Sequence, residues 1–243
     1  MEYDQEALKT VVETRLILDL YDAWLFDEYK PYIGRRILEI GCGFGNQLKL
    51  MTDREFVLGL DISDDSTREV QSRFFDYPNI SAVCMSIYDP EVINLNQIKF
   101  DTVIALNVIE HLEDDEFAIG NAWSVLQPNG NFILVVPAHQ WLFGSMDRAI
   151  GHYRRYTKRM LKVRMEKIGF SIVLQKYFNM LGAFGWFVNG RILNRKVPPT
   201  GQLKLINFLI PFLRSIESRI SPSFGISLLT VGQKIFRITT PVR

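Results

Sequence analysis

The 243-residue chain predicts an α/β fold: a doubly wound, largely parallel sheet with helices on both faces. Three observations predict it. The stretch Ile37-Leu38-Glu39-Ile40-Gly41-Cys42-Gly43-Phe44-Gly45-Asn46 is an apolar strand that runs into glycines at alternate positions. A strand, a glycine loop and a following helix form the nucleotide pocket of open α/β sheets. Apolar strand-like runs then alternate with helical spacings for most of the chain, the pattern of a parallel sheet. Length and composition allow a large core, with 47% hydrophobic and 23% charged residues.

The elements follow in order. Residues 4–30 read as one or two helices. Leu8, Val11, Val12, Leu16 and Leu18 hold helical spacing, Tyr21, Trp24, Leu25, Phe26 and Tyr29 continue the apolar face, and Pro31 ends it. Arg36–Gly41 is the first strand, and the first helix starts over Asn46–Met51. Glu55–Leu60 is the second strand, closing on Asp61. Ser63 or Asp64 caps a helix that runs to about Phe75. Ile80–Met85 and Phe100–Leu106 are the third and fourth strands. Asp114–Leu126 is a helix ended by the turn signal Gln127-Pro128-Asn129-Gly130, and Asn131–Val136 is the fifth strand. Thr157–Ile168 is a basic helix stopped by Gly169, and Ser171–Tyr177 is the sixth strand. Residues 180–222 read as irregular and helical, with Pro211 expected to kink or split a helix. Ile226–Phe236 is the seventh strand.

Charge is unevenly placed. Residues 1–147 hold 10 Lys/Arg and 25 Asp/Glu, whereas residues 148–243 hold 18 Lys/Arg and 2 Asp/Glu. Such a basic part predicts either an anionic partner (phosphate, anionic lipid, nucleic acid) or attraction between the two parts. The only cysteines, Cys42 and Cys84, have no zinc spacing, so no metal is expected and a reducing compartment fits. The acidic, amphipathic N-terminus is no secretory signal, and no apolar run reaches the roughly 20 residues of a membrane span. A cytoplasmic protein is expected, with peripheral contact to anionic membrane as a further option.

The glycine loop has the spacing Glu-x-Gly-x-Gly-x-Gly, one position shorter at the third glycine than the dinucleotide fingerprint. Asp61 closes the second strand sixteen residues after Gly45, where a carboxylate can accept from ribose hydroxyls. With LEIGCGFGN (38–46), FDTVIALNVIEHLEDD (100–115) and LQPNGNFILVVP (126–137), the chain resembles the class I S-adenosylmethionine-dependent methyltransferases over roughly residues 35–137.

The resemblance implies a Rossmann-like, seven-stranded sheet whose last strand is antiparallel, preceded here by a helical insertion. It divides one methyltransferase domain, 1–243, into N-terminal helices (1–34), a cofactor half (35–137), the rest of the sheet with an acceptor loop (138–179 and 223–243), and an insertion or lid (180–222). It also implies site roles. Gly41, Cys42, Gly43 and Gly45 pass under the methionine and ribose of S-adenosylmethionine. Glu39 faces its ammonium, Asp61 holds the ribose with Ile62 against adenine, and Leu106 and Asn107 line the methionine side. Many relatives have an Asp after the third strand for the adenine amino group; here Ser86-Ile87-Tyr88-Asp89 leaves that contact to Ser86 or Asp89, with Ile87 beside them.

Glu110-His111 follows the fourth strand at the ligand-bearing edge, and His111 is one candidate base. Pro137–Tyr156, PAHQWLFGSMDRAIGHYRRY, follows the fifth strand and holds the other two histidines, His139 and His152. It is similar to a bacterial subgroup with a "D…GHYRRY" pattern. His152 or His139 is the expected base for a hydroxyl acceptor, with Asp147 orienting the ring. Arg154 and Arg155, with Tyr156, are the expected contacts to an anionic acceptor; the alternative is an internal salt-bridge network. In 180–222, aromatic and aliphatic residues spread round a helix, which fits a buried lid or a surface resting on anionic membrane.

The expected activity is methyl transfer, to oxygen, on a small or carrier-linked anionic acceptor. One alternative is a cofactor-binding scaffold without turnover. An RNA methyltransferase is disfavoured because Asn107-Val108-Ile109-Glu110 stands where exocyclic-nitrogen enzymes carry Asn/Asp-Pro-Pro-Tyr.

Overall fold

Seven strands form one sheet: β1 (Arg36–Ile40), β2 (Phe56–Asp61), β3 (Ile80–Cys84), β4 (Phe100–Leu106), β5 (Leu126–Pro137), β6 (Phe170–Phe178) and β7 (Ser227–Lys234). Their spatial order is β3-β2-β1-β4-β5-β7-β6 in this computed structural model, which describes residues 18–220 and 222–235. β1 to β5 pair in parallel, and β7 lies antiparallel between β5 and β6. β1 pairs with both β2 and β4, so chain order reverses there. Open α/β sheets bind ligands beyond the carboxyl ends of strands at that reversal.

Alternating side chains feed two cores, one on each face of the sheet. Leu38, Ile40, Val103, Ala105 and Leu134 enter one; Ile37, Ile104, Ile133 and Val135 enter the other. The helices covering the sheet are α1 (Asp19–Tyr29), α2 (Asp64–Arg73), α3 (Asp115–Val125), α4 (Ser145–Ala149), α5 (Lys158–Ile168), α6 (Met180–Phe187) and α7 (Thr200–Ile220). α1 buries Trp24, Leu25 and Tyr29, and Tyr21 and Trp24 pack on Phe178 of β6 with ring centroids 6.1 and 5.8 Å away. Each such side chain contributes about 1.5–3 kcal/mol. Positions 8–16, expected to continue this face, lie outside the described residues.

Helix starts follow their capping residues. Ser63 Oγ accepts from Ser66 N (3.2 Å), Asp114 Oδ1 from Phe117 N (2.9 Å) and Thr157 Oγ1 from Met160 N (3.2 Å). Gly169 ends α5 with φ 125°.

Three local expectations change. No α-helix starts at Asn46; a single 3₁₀ turn, Leu48–Leu50, stands there. Leu48 and Met51 are both fully buried, and a 3₁₀ turn places positions i and i+3 on one side. The Gln127–Gly130 turn is an irregularity within β5: pairing steps from Phe100↔Leu126 to Thr102↔Asn131, and Asn129 takes φ 62°. Pro211 does not divide α7, which is continuous across it.

Much of the charge asymmetry is met internally. Lys176 reaches Glu28 (2.6 Å), Arg214 reaches Asp27 (2.7 Å), Lys167 reaches Glu116 (2.6 Å), and Arg154 and Arg164 both reach Asp115 (3.0 and 3.2 Å). Among the described residues, no helix is long and apolar enough to cross a membrane.

Candidate active site

The site begins where β1 runs into its glycines. Gly41, Gly43 and Gly45 have φ of 71°, 51° and 76°. Side chains with a Cβ adopt that region at a cost of about 1–2 kcal/mol. A Cβ on Gly41 would come within 2.4 Å of Val108 Cγ2, whereas one on Gly43 would meet nothing within 4 Å. Bare backbone at Gly43 therefore faces open space. Asp61 ties the loop to β2: its Oδ2 accepts from Gly43 N (2.8 Å) and its Oδ1 from Ser63 N (2.9 Å). Each oxygen retains acceptor capacity for a ligand hydroxyl. Ile62 beside it is 79% exposed, an apolar surface open to stacking. Burial, with the charges of Glu39 and Asp61, raises the Cys42 thiol far above its usual range, so Cys42 is a neutral wall residue.

A cavity of about 380 Å³ opens from this loop across the carboxyl edge of the sheet. Glu39, Gly41, Cys42, Gly43, Leu106 and Asn107 line one part. Gln47 lines it too, a residue the sequence reading missed. Its Oε1 accepts from Tyr29 OH (2.7 Å), and its buried Nε2 has no acceptor among the described residues. A ligand carboxylate or hydroxyl would satisfy that donor. Open backbone at Gly43, the Asp61 carboxylate and the Gln47 amide together fit an amino-acid nucleoside such as S-adenosylmethionine.

Ile87 is turned into the core, 5% exposed, so its side chain is not at the ligand edge. Ser86 and Asp89 stabilise their own turn, accepting from Tyr88 N (3.1 Å) and Glu91 N (2.9 Å). Neither lines the cavity.

The other part of the cavity is built by the loops after β4 and β5. Tyr153 N donates to Glu110 O (2.8 Å), His139 N to Tyr156 O (2.8 Å) and Tyr156 N to Pro137 O (2.8 Å), stitching GHYRRY between those loops. Glu110, His111, His152 and Arg155 consequently share the cavity wall. Asp147 is the fully buried hub behind them. It accepts from His152 Nδ1 (2.9 Å), Arg155 Nε (2.7 Å), Trp186 Nε1 (3.0 Å) and Gly144 N (2.9 Å). Burial alone would raise its pKa, but the His152 hydrogen bond and the Arg155 charge bring it down to about 2. Burial lowers His152 against the opposing pull of Asp147, so the ring is neutral at physiological pH. Its Nε2 lies 3.8 Å from Glu110 Oε1.

His111 is also neutral. Burial and the neighbouring His152 press its pKa to about 3, against hydrogen bonds to the backbone of Ile150 and Gly151. Glu110, His111 and His152 are the one trio among the described residues with metal-ligand character, their donor atoms within 4.8 Å of one another. The two imidazoles meet edge to face, with ring centroids 4.7 Å apart and planes at 77°.

Several expected residues are placed elsewhere. His139 stacks on Tyr177 at 4.4 Å and lies outside the cavity wall. Arg155 reaches the wall, but its guanidinium is spent on Asp147 and on Ala138 O (3.1 Å). Arg154 is held by Asp115 and by Glu113 O (2.7 Å). Tyr156 is fully buried, donating to Asp115 Oδ2 (2.7 Å). These three form the internal network rather than an open anion site, because each faces a buried carboxylate that its charge or hydroxyl satisfies. Trp186 and Gln202, from the segment 180–222 expected as a lid but not among the expected site residues, line the cavity from α6 and α7. No local pattern signals the Trp186–Asp147 bond, which spans 39 residues.

Comparison with known proteins shows the family and the fold. Residues 15–175 match the model of a methyltransferase domain family. A protein of Mycolicibacterium smegmatis described as a probable S-adenosylmethionine-dependent methyltransferase is 28% identical over 142 residues, covering 57% of this chain and 53% of its own length. The ubiquinone biosynthesis O-methyltransferase of Paracidovorax citrulli is 23% identical over 155 residues, covering 56% of this chain and 62% of its own. The chain thus spans 53–62% of the length of these curated relatives. A crystal structure of an S-adenosylmethionine-dependent methyltransferase from Archaeoglobus fulgidus superposes with TM-score 0.58 at 20% identity, covering 88% of this chain and 93% of that one, a likeness of fold. The chain belongs to the family of methyltransferase domains that use S-adenosylmethionine.

Proposed function

We propose that the protein transfers a methyl group to a hydroxyl oxygen of a small or carrier-linked acceptor, with His152 as general base. The observation that carries this reading is the neutral His152 ring, held at Nδ1 by Asp147 in the wall of the cavity that begins at the glycine loop. Bound S-adenosylmethionine supplies an electrophilic methyl group. Gly43, Asp61 and Gln47 hold the cofactor at one end, and the acceptor enters against Glu110, His111 and His152. The reacting oxygen gains the methyl group, the broken S–CH₃ bond leaves its electron pair on sulfur, and the hydroxyl proton passes to His152 Nε2.

Among the described residues Arg155 is the only lysine or arginine in the cavity wall and is committed to Asp147, while Met146, Ile150, Leu203 and Ile206 make much of that wall apolar. The reacting end of the acceptor is therefore not an anion, and any anionic group stays outside on the carrier. The "D…GHYRRY" stretch builds this acceptor end, which makes it the specificity element of the subgroup.

Calorimetry with S-adenosylmethionine, followed by transfer of labelled methyl to lipid-extract hydroxyl acceptors, tests the reading. His152→Ala should keep cofactor affinity and lose about 10²–10⁴ in rate. The wild-type rate should hold its plateau below pH 6.5, because the lowered pKa keeps the base form present there. No heat and no thermal shift at millimolar cofactor would reject it. The four donors on Asp147 also favour a second reading, a cofactor-binding scaffold. Tight cofactor binding with no transfer to any acceptor would select that one.

A further inference from the structure

α7 has two apolar faces, and only one is covered. Ile210 is 2% exposed and Glu217 3%, and Ile206 and Leu213 pack on the same core. Leu203 and Ile206 also line the cavity. On the other side Leu205 is 57% exposed, Phe208 76%, Phe212 64%, Ile216 38% and Ile220 53%. Steps of three and four residues put these five side chains on one stripe. The stripe continues onto α6, since Phe184 (67% exposed) shares an open apolar groove with Leu213, Ile216 and Ile220.

The helix is pinned with this stripe outward. Glu217 accepts from Asn179 N (2.8 Å) and Met180 N (2.7 Å), Asn207 bridges Asp19 (2.8 Å) and Tyr21 N (3.2 Å), and Arg214 pairs with Asp27. Charge is one-signed here. Residues 180–222 contain six Lys/Arg, and their one acid, Glu217, is buried. Lys204 and Arg219 are exposed on the helix that bears the stripe.

We propose that this stripe docks the protein on an anionic phospholipid bilayer, with α7 as the partition between membrane and acceptor cavity. Buried aromatic area and attraction of flanking cations to acidic headgroups are the two terms that hold an interfacial helix. A second copy of the chain would set like-charged segments face to face, so the bilayer is the better occupant. The inference deepens the carrier-linked reading, and its biological meaning rests on it, but docking is measurable without turnover.

The full chain is sedimented with vesicles of phosphatidylcholine alone and of equal parts phosphatidylcholine and phosphatidylglycerol. Binding should require phosphatidylglycerol and weaken with salt. Phe208→Ser/Phe212→Ser should bind at least about tenfold more weakly, with unchanged melting temperature and cofactor affinity, because neither residue lines the cavity. Lys204→Glu/Arg219→Glu should lose the preference for phosphatidylglycerol. The proposal is overturned if wild type ignores anionic vesicles, or if the phenylalanine variant binds them as well as wild type. It is equally overturned if light scattering shows a dimer that the phenylalanine substitutions dissolve. A failed vesicle assay with intact methyl transfer rejects only the docking; the converse rejects only the catalysis.

Discussion

Asp147 shows how one residue couples the loop after β5 to the rest of the fold. A carboxylate offers about four acceptor sites, and here His152, Arg155, Trp186 and Gly144 occupy four. Asp147→Asn removes the charge that Arg155 needs and turns an amide toward donors. It should destabilise the protein by about 3–5 kcal/mol in denaturant titrations near neutral pH. The folded pKa of about 2 lies below the ordinary 3.8, so this stabilisation is complete above about pH 4 and is lost as pH falls toward 2. Wild type and variant should therefore converge in stability across that acid window. The sequence offered Asp147 as the partner of either His152 or His139, and Arg155 as either a substrate contact or part of an internal salt-bridge network with Asp147. Which histidine and which role hold was not legible, because burial against Asp147 depends on how two loops close over each other.

At the scale of elements, capping residues made helix starts legible, whereas the segment after the glycine loop misled. Asn46–Met51 has helical composition, yet Leu48 and Met51 are drawn into the core and only a 3₁₀ turn fits. The α6–α7 pair lines the cavity, and one of its latches is Glu217, which accepts two backbone N–H groups at the start of α6. Glu217→Ala leaves those donors without it, at about 1–3 kcal/mol for a buried one. Hydrogen exchange should quicken over residues 180–220 while the strands β1, β4 and β5 keep their protection. Uniform loss of protection across the sheet would mean that the latch supports the whole fold instead.

For the whole molecule, the reversal of strand order between β1 and β4 sets the cofactor end, and the pairing of late cations with early acids holds the second half against it. A ligand that binds only the folded state at a hundred times its Kd stabilises by about 2.7 kcal/mol. S-adenosylmethionine should then raise the melting temperature by roughly 5–10 °C. Asp61→Ala should abolish most of that rise if Asp61, which anchors Gly43, also accepts from the ribose as proposed. An undiminished shift in the variant would place the cofactor elsewhere. The charge asymmetry, visible in composition, had two readings. Salt bridges from Arg154, Arg164, Lys176 and Arg214 absorb part of it, and Lys204 and Arg219 stand exposed on the helix that bears the apolar stripe.

The amino-acid sequence by itself determined the strands, their alternation with helices, the glycine loop and Asp61. All of these are read within a few residues, because strand pleat, helix period and glycine's freedom are local properties. Tertiary structure alone decided which side chains of Pro137–Tyr156 face the cavity, and that Tyr156, Arg154 and Asp115 satisfy one another across about forty residues. It also decided that α7 lines the cavity with one face and leaves an open apolar surface on the other. Those outcomes depend on burial and on partners brought together by chain closure, and a buried charge accepts whichever counter-charge the packing supplies.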